Sequence, residues 1–230
     1  MDLELTGRGA VVTGGSRGIG AAIAAALRAE GANVVIVARN PGPDGIAADT
    51  GDDASVANMA NAARAQLGTV DILVNVAATP NQGAIPEDAL EAEINVKVRG
   101  YLRCARAFAP GMVERGWGRI VNVGGTAGIR TGSVVGSVRN AAVTALSRNL
   151  ADELGPHGVG VTAVHPGITL TDRVAARDDL DQFAASTSIG RIVTPDEVAN
   201  VVAFLASPKG IALNGDSLVV CGGMRGAIRY

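Results

Sequence analysis

Seven short runs of mostly β-branched and apolar residues recur along the 230-residue chain, at 10–14, 33–38, 45–49, 70–75, 119–124, 160–165 and 217–222. Their apolar character is continuous rather than alternating, which is the pattern of strands covered on both faces, and so of a parallel sheet. Between them lie Ala-rich segments with helical spacing, near 18–30, 54–67, 87–114, 134–154 and 194–206. The last opens with "TPDEV", a threonine cap followed by proline at the first helical position and acids in the first turn. This alternation predicts an α/β fold: a doubly wound parallel sheet with helices on both faces and ligands at the carboxyl ends of the strands. The stretch "RNPGPDGIAAD" (39–49) holds two prolines and two glycines, which leaves no room for a helix between the second and third runs.

The length suits one domain spanning residues 1–230, with a sizeable core. Twenty basic residues against 22 acidic ones, spread along the chain, offer no basic stripe for nucleic acid and no polybasic membrane patch. The expected partners are therefore a small-molecule substrate or copies of the chain itself. Cys104 and Cys221 are isolated and form no metal-like grouping with His157 or His165, so neither a disulfide framework nor a metal site is expected. No apolar run reaches membrane-spanning length and the first ten residues lack a leader pattern; a cytoplasmic location is expected. The segments at 87–114 and 134–154, with alanines at 141, 142, 145 and 151 permitting close approach, are expected to pack across a two-fold axis in a homodimer or homotetramer.

After the first strand comes "TGGSRGIG", Thr13 to Gly20. Glycines at 14, 18 and 20 let the backbone turn tightly and approach a pyrophosphate, while a helix opening near 18 aims its amides at that anion. The whole loop, Gly14, Ser16, Arg17, Gly18, Ile19 and Gly20, is assigned to cofactor binding. At the end of the second strand, where an NAD site offers an acid to the ribose 2′-hydroxyl, the chain has Arg39. With Arg17 it supplies two guanidiniums suited to a 2′-phosphate, so NADP(H) is expected over NAD(H). Against this stands the general preference of the chain for arginine, which would also place arginines on the surface.

The motifs "TGGSRGIG", "DILVNVAAT", "GRIVNVGG", "AAVTALSRNLADELGPHGVGVTAVHPGITLT" and "GRIVTPDEVANVVAFLAS…NGDSLVVCGG" resemble the short-chain dehydrogenase/reductase family, and the likeness covers nearly the whole chain. The resemblance implies a Rossmann-type domain with about seven strands, a dimer or tetramer, and hydride transfer between a nicotinamide and a carbonyl or alcohol. By position, Asp49 resembles the family's adenine-contacting acid. Asn75 and Ala77 fall in "NVAA", which matches the family's "NNAG"; the resemblance assigns both to cofactor binding, with Asn75 also the residue that supports the central sheet. Pro166, Gly167 and Thr171 match the segment that holds the nicotinamide carboxamide.

The family's chemistry rests on a Ser, a Tyr and a Lys four residues beyond the Tyr. The phenol passes the proton, the ammonium lowers its pKa and holds the ribose, and the Ser orients the substrate. Aligned without gaps, this chain has Gly125, Gly136 and Asn140 at those positions. Its tyrosines are Tyr101, expected to be a half-buried or interface aromatic, and the terminal Tyr230. The family's fourth catalytic position, an Asn in the 87–114 helix, falls on Lys97 in an ungapped alignment and on Asn95 if two residues are inserted. Lys97 is one of only two lysines against 18 arginines. A lysine offers a compact ammonium whose pKa falls on burial and which can donate a proton, whereas an exposed helical lysine is the plainer alternative. Lys97 and Asn140 are the candidate catalytic residues. Arg139, about 100° round the helix from Asn140, is expected at the surface or an interface. Ser133 resembles a helix cap, and His165 a hydrogen-bonded structural histidine.

Three functions remain open on these residues. One is an NADP(H)-dependent oxidoreductase in which Lys97 replaces part of the missing Tyr and Lys. The others are a non-redox lyase or isomerase, and a cofactor-binding protein without turnover.

Overall fold

The computed structural model describes residues 1–78 and 87–226. Strand β1 (Gly9–Thr13) leads through the glycine loop into α1 (Gly18–Ala29), and β2 (Asn33–Ala38), β3 (Ile46–Ala47), α2 (Asp53–Leu67) and β4 (Ile72–Asn75) follow. Next come α3 (Glu87–Glu93), a π-helical stretch (Ile94–Arg99), α4 (Gly100–Glu114), β5 (Gly118–Val123), a 3₁₀ turn (Thr126–Ile129) and α5 (Val134–Leu154). Strand β6 (Val159–Pro166), short helices α6 (Asp172–Ala175) and α7 (Leu180–Ala185), α8 (Pro195–Ala206) and β7 (Ser217–Val220) complete the chain.

The seven strands form one sheet in the order β3-β2-β1-β4-β5-β6-β7, and every pairing is parallel. Strands β1, β4, β5 and β6 are buried along their whole length, as their unbroken apolar runs require. One face packs Val11, Leu73 and Ile120 against Met59 of α2, Phe108 of α4 and Leu150 of α5. The other packs Val12, Val74 and Val121 against Ile23 and Leu27 of α1 and Val198 and Val202 of α8. The chain changes direction between β1 and β4, so the crevice for a ligand opens at the carboxyl ends of these strands.

Two elements differ from the sequence expectation. The third strand shrinks from 45–49 to two residues because Asp49 leaves the ladder: its N–H donates to Ser55 Oγ at 2.9 Å, at the start of α2. The segment 87–114 is not one α-helix. Its π-helical stretch widens the turn, and side chains collect the displaced carbonyls: Thr50 Oγ1 donates to Val96 O at 3.4 Å and Arg103 Nη1 to Asn95 O at 3.3 Å. Gly100 closes the stretch where a Cβ would stand 2.9 Å from Thr50 O, so only glycine lets the helix resume this close to the loop before α2.

Candidate active site

The crevice at the sheet's carboxyl end is a cleft of about 1100 Å³ running from the glycine loop to the start of α5. Its glycine-loop end is built by close backbone approach. Gly14 sits at φ 71°, and a Cβ there would lie 2.8 Å from Ala77 N; a Cβ on Gly20 would lie 2.1 Å from Gly14 O. Helices α2, α5 and α8 begin with side-chain caps from Asp52, Ser133 and Thr194, but no side chain caps α1. Its first amides thus face the cleft with no side-chain acceptor, which suits an anionic ligand. Ser16, Arg17, Gly18 and Ile19 line this end, and Arg39 and Asp49 line the next stretch, where Asp49 Oδ1 accepts from Gly51 N at 2.8 Å. Ala77, Pro166, Gly167 and Thr171 line the remainder.

Asn75 departs from its cofactor-binding assignment. It is fully buried beneath the cleft: its Oδ1 accepts from Thr13 Oγ1 at 3.4 Å, and its Nδ2 donates to Asn122 Oδ1 at 2.9 Å. Asn122 Nδ2 in turn donates to Ser147 Oγ at 3.0 Å. This polar ladder ties β1, β4, β5 and α5 together under the site, and an apolar side chain in any rung would leave a buried partner unsatisfied. Asn122 and Ser147 escaped the sequence reading because each looks like a lone polar residue in an apolar element.

At the far end of the cleft stand Lys97 and Asn140. Lys97 is 4% exposed, and its ammonium donates to Gly124 O at 3.0 Å. Burial pulls its pKa down to about 8. Asn95 faces elsewhere, with Nδ2 on Gly51 O at 3.0 Å and Oδ1 accepting from Arg103, so of the two alignment candidates Lys97 is the one that lines the cleft. Asn140 is 2% exposed, and its Oδ1 has no hydrogen-bond partner among the described residues. Between the two lie Gly124 and Gly125; a Cβ on Gly125 would come within 3.2 Å of Asn140 Nδ2.

The other titratable groups nearby are committed. His165 Nδ1 accepts from Gly125 N–H at 3.1 Å, which assigns the neutral proton to Nε2, 3.0 Å from Thr144 Oγ1. Tyr101 is not half-buried but wholly enclosed, because α4 turns it toward the sheet, where it donates to Val123 O at 2.9 Å. Burial pushes its phenol well above the ordinary range. Tyr230 lies outside the described residues. Ser133 caps α5 by accepting from Gly136 N at 3.1 Å.

Arg139 departs from expectation. The α5 face 100° from Asn140 is covered by α3, and Arg139 is held there in an ion pair with Glu93, a residue only 2% exposed that the sequence reading overlooked. Arg139 also lines the cleft, and its Nε has no partner among the described residues.

A parallel seven-stranded sheet with an uncapped, glycine-lined helix start at its switch point defines a dinucleotide-binding protein of the Rossmann type. Residues 14–225 match the profile of the family described as enoyl-(acyl carrier protein) reductase. A 3-oxoacyl-(acyl-carrier-protein) reductase, FabG, from Vibrio harveyi is 34% identical, over 96% of this chain and 99% of that protein. A short chain dehydrogenase from Burkholderia cenocepacia, solved in complex with NADP, superposes with TM-score 0.88 at 35% identity, covering 95% of this chain and 98% of its own. L-sorbose reductase from Gluconobacter frateurii, solved with NADPH and L-sorbose, gives TM-score 0.89 at 28% identity, covering 99% and 100%. The chain belongs to the short-chain dehydrogenase/reductase family of oxidoreductases.

Proposed function

We propose that this chain is a single-domain, cytoplasmic, NADP(H)-dependent oxidoreductase with a non-standard active site, in which Lys97 supplies the proton that the family's tyrosine otherwise provides. The observation that carries this reading is the buried Lys97 ammonium lining the cleft beside Asn140. The residues present fit the cofactor. A Cβ at Gly14 or Gly20 would collide with the backbone of Ala77 or Gly14, so these glycines permit the tight turn that a pyrophosphate needs; Arg17 and Arg39 offer guanidiniums for a 2′-phosphate, and Asn140 Oδ1, without a partner among the described residues, is an acceptor suited to a ribose hydroxyl. Bound there, NADP(H) supplies or accepts the hydride. Lys97 holds a proton on Nζ at neutral pH, anchored by Gly124 O, and can give it to a carbonyl oxygen as charge develops there. Asn140 takes the place of the family's lysine as a neutral hydrogen-bonding group, and Gly125 and Gly136 stand where its serine and tyrosine are expected. Oxidation of NADPH in the presence of small carbonyl compounds, compared between the native chain and Lys97→Met, tests the reading. Equal rates would remove Lys97 from the chemistry.

The two guanidiniums at the adenosine end carry a second expectation. NADP(H) binds at least about tenfold more tightly than NAD(H), or ~1.4 kcal/mol, in calorimetric titrations of both. Equal affinities would return Arg17 and Arg39 to the solvated surface.

Self-association is expected through α5, whose exposed Val134, Val138, Ala141 and Ala145 fall on one stripe at helical spacing. Ala151 was expected on that stripe but is 2% exposed and packs inward. Light scattering at micromolar concentration should give at least twice the 23.1 kDa chain mass; a monomer would refute the expectation.

A further inference from the structure

The geometry points to a carboxylate-binding subsite in the wall of the cleft, formed by Arg139 and Lys97 and held in place by Glu93, so that the substrate is a carbonyl or hydroxy compound carrying a free carboxylate. This rests on reading the cleft as the site of hydride chemistry and names the class of substrate it takes.

Arg139 carries the argument. Glu93 binds its Nη1, while Nε, on the other edge of the guanidinium, has no partner among the described residues. The Nε and Nη2 edge is the planar fork that matches the two oxygens of a carboxylate. A buried guanidinium donor without an acceptor is costly, and here it belongs to a residue that lines the cleft. The missing acceptor is one that a ligand can bring.

Glu93 explains why Arg139 is there. A carboxylate only 2% exposed is costly to bury, and a buried ion pair is often no more stabilising than two apolar residues of similar volume. The pair's geometric effect is to fix a long, flexible side chain against the cleft wall, with Nε left unpartnered among the described residues. Glu93 is therefore a positioning residue.

Lys97 supplies a second cation. It lines the same cleft, and its Nζ reaches Gly124 O, next to the Gly125 backbone that abuts Asn140. Lys97, Arg139 and Glu93 together carry one net positive charge, which a single carboxylate neutralises. Of the other charged residues lining the cleft, Asp172 and Arg173 are exposed and of opposite sign. A thioester or ketone without a free acid would leave Arg139 Nε unsatisfied.

The test needs no turnover. Malonate, which is redox-inert, and its dimethyl ester are titrated calorimetrically into the full chain with NADP⁺ in excess. Malonate is expected to bind at least about tenfold more tightly than the ester, the scale of one hydrogen bond to a charged group. Arg139→Gln should abolish that preference and leave the affinity for NADP⁺ within about threefold. Because this change alone leaves Glu93 buried without its cation, the double variant Glu93→Gln with Arg139→Gln, which removes both charges, should show the same loss. Glu93→Gln alone keeps an acceptor oxygen for Arg139 Nη1 while removing the charge that offsets it, so the preference for the acid should rise several-fold; Glu93→Leu, which also removes the acceptor that positions the guanidinium, should lower it, and a purely structural glutamate would leave the ratio unchanged in both.

Equal binding of acid and ester, or a preference that survives Arg139→Gln and the double variant, would overturn the proposal. So would a loss of NADP⁺ affinity in Arg139→Gln with acid binding intact, which would assign the guanidinium to the cofactor. If malonate binds as expected but no carbonyl acid is reduced, the subsite stands and the redox reading falls.

Discussion

Lys97→Met should lower the rate of carbonyl reduction by about 10²–10⁴-fold, the range expected when a positioned general acid is removed. The effect sits at the large end of single-residue changes because no second acid stands by among the described residues. Tyr101 spends its hydroxyl on Val123 O inside the core, and His165 is bonded through both ring nitrogens. Affinity for NADP(H) should fall only modestly, because the glycine loop proposed to hold the pyrophosphate lies at the other end of the cleft. The measurement is kcat and KM for a responsive substrate, with cofactor affinity determined separately.

The pH profile sharpens the assignment. Burial holds Lys97 near pKa 8, so its ammonium is present below that pH and lost above it. Reduction should therefore fall roughly tenfold per pH unit above about 8, and the reverse oxidation should not. Lys97→Arg should retain cofactor and substrate binding but recover little of the rate, and its rate should no longer break near pH 8, because guanidinium keeps its proton. A break that persists in Lys97→Arg would place the titrating group elsewhere.

What the sequence could disclose depended on how local each cause was. The apolar runs, the glycine loop and the caps at Ser133 and Thr194 are set by neighbours within a few residues, and the structure places them where the sequence puts them, within a residue or two at most ends. The π-helical stretch was not legible, because it depends on Gly100 meeting Thr50 and on Arg103 reaching Asn95, contacts between segments far apart in the chain or across the widened turn. For the same reason Arg139 read as a surface residue: helical periodicity gives its angle on α5, but only the packing of α3 decides whether that angle faces water. Glu93 looked like one more acid in "EDALEAE", and nothing in its spacing marks it as buried. Lys97 was the exception. One of two lysines among 18 arginines is a compositional signal, and here it marked a residue that lines the cleft.

The same substitution should make the chain more stable at neutral pH. Lys97 has an ordinary pKa of 10.5 when unfolded and about 8 when folded. Below pH 8 it is charged in both states, and folding must desolvate the ammonium; above 10.5 it is neutral in both and that cost is gone. Between these values the unfolded chain binds a proton that the folded chain has released, so stability attributable to Lys97 rises with pH across this window. The rise amounts to roughly 3 kcal/mol, at ~1.4 kcal/mol per pKa unit. Glu93, Arg139 and His165 are present in both proteins, so the comparison isolates what Lys97 itself contributes. Urea unfolding without added cofactor should thus find Lys97→Met about 1–2 kcal/mol more stable than the native chain at pH 7, the gain from removing a buried charge being partly offset by the unpaired Gly124 carbonyl. By pH 10 the native chain should have gained roughly 2–3 kcal/mol relative to the variant and so match or exceed it. A stability difference that stays flat from pH 7 to 10 would mean that the ammonium is solvated after all, and with it would go the argument that this lysine is kept, at a cost to the fold, for the chemistry of the cleft.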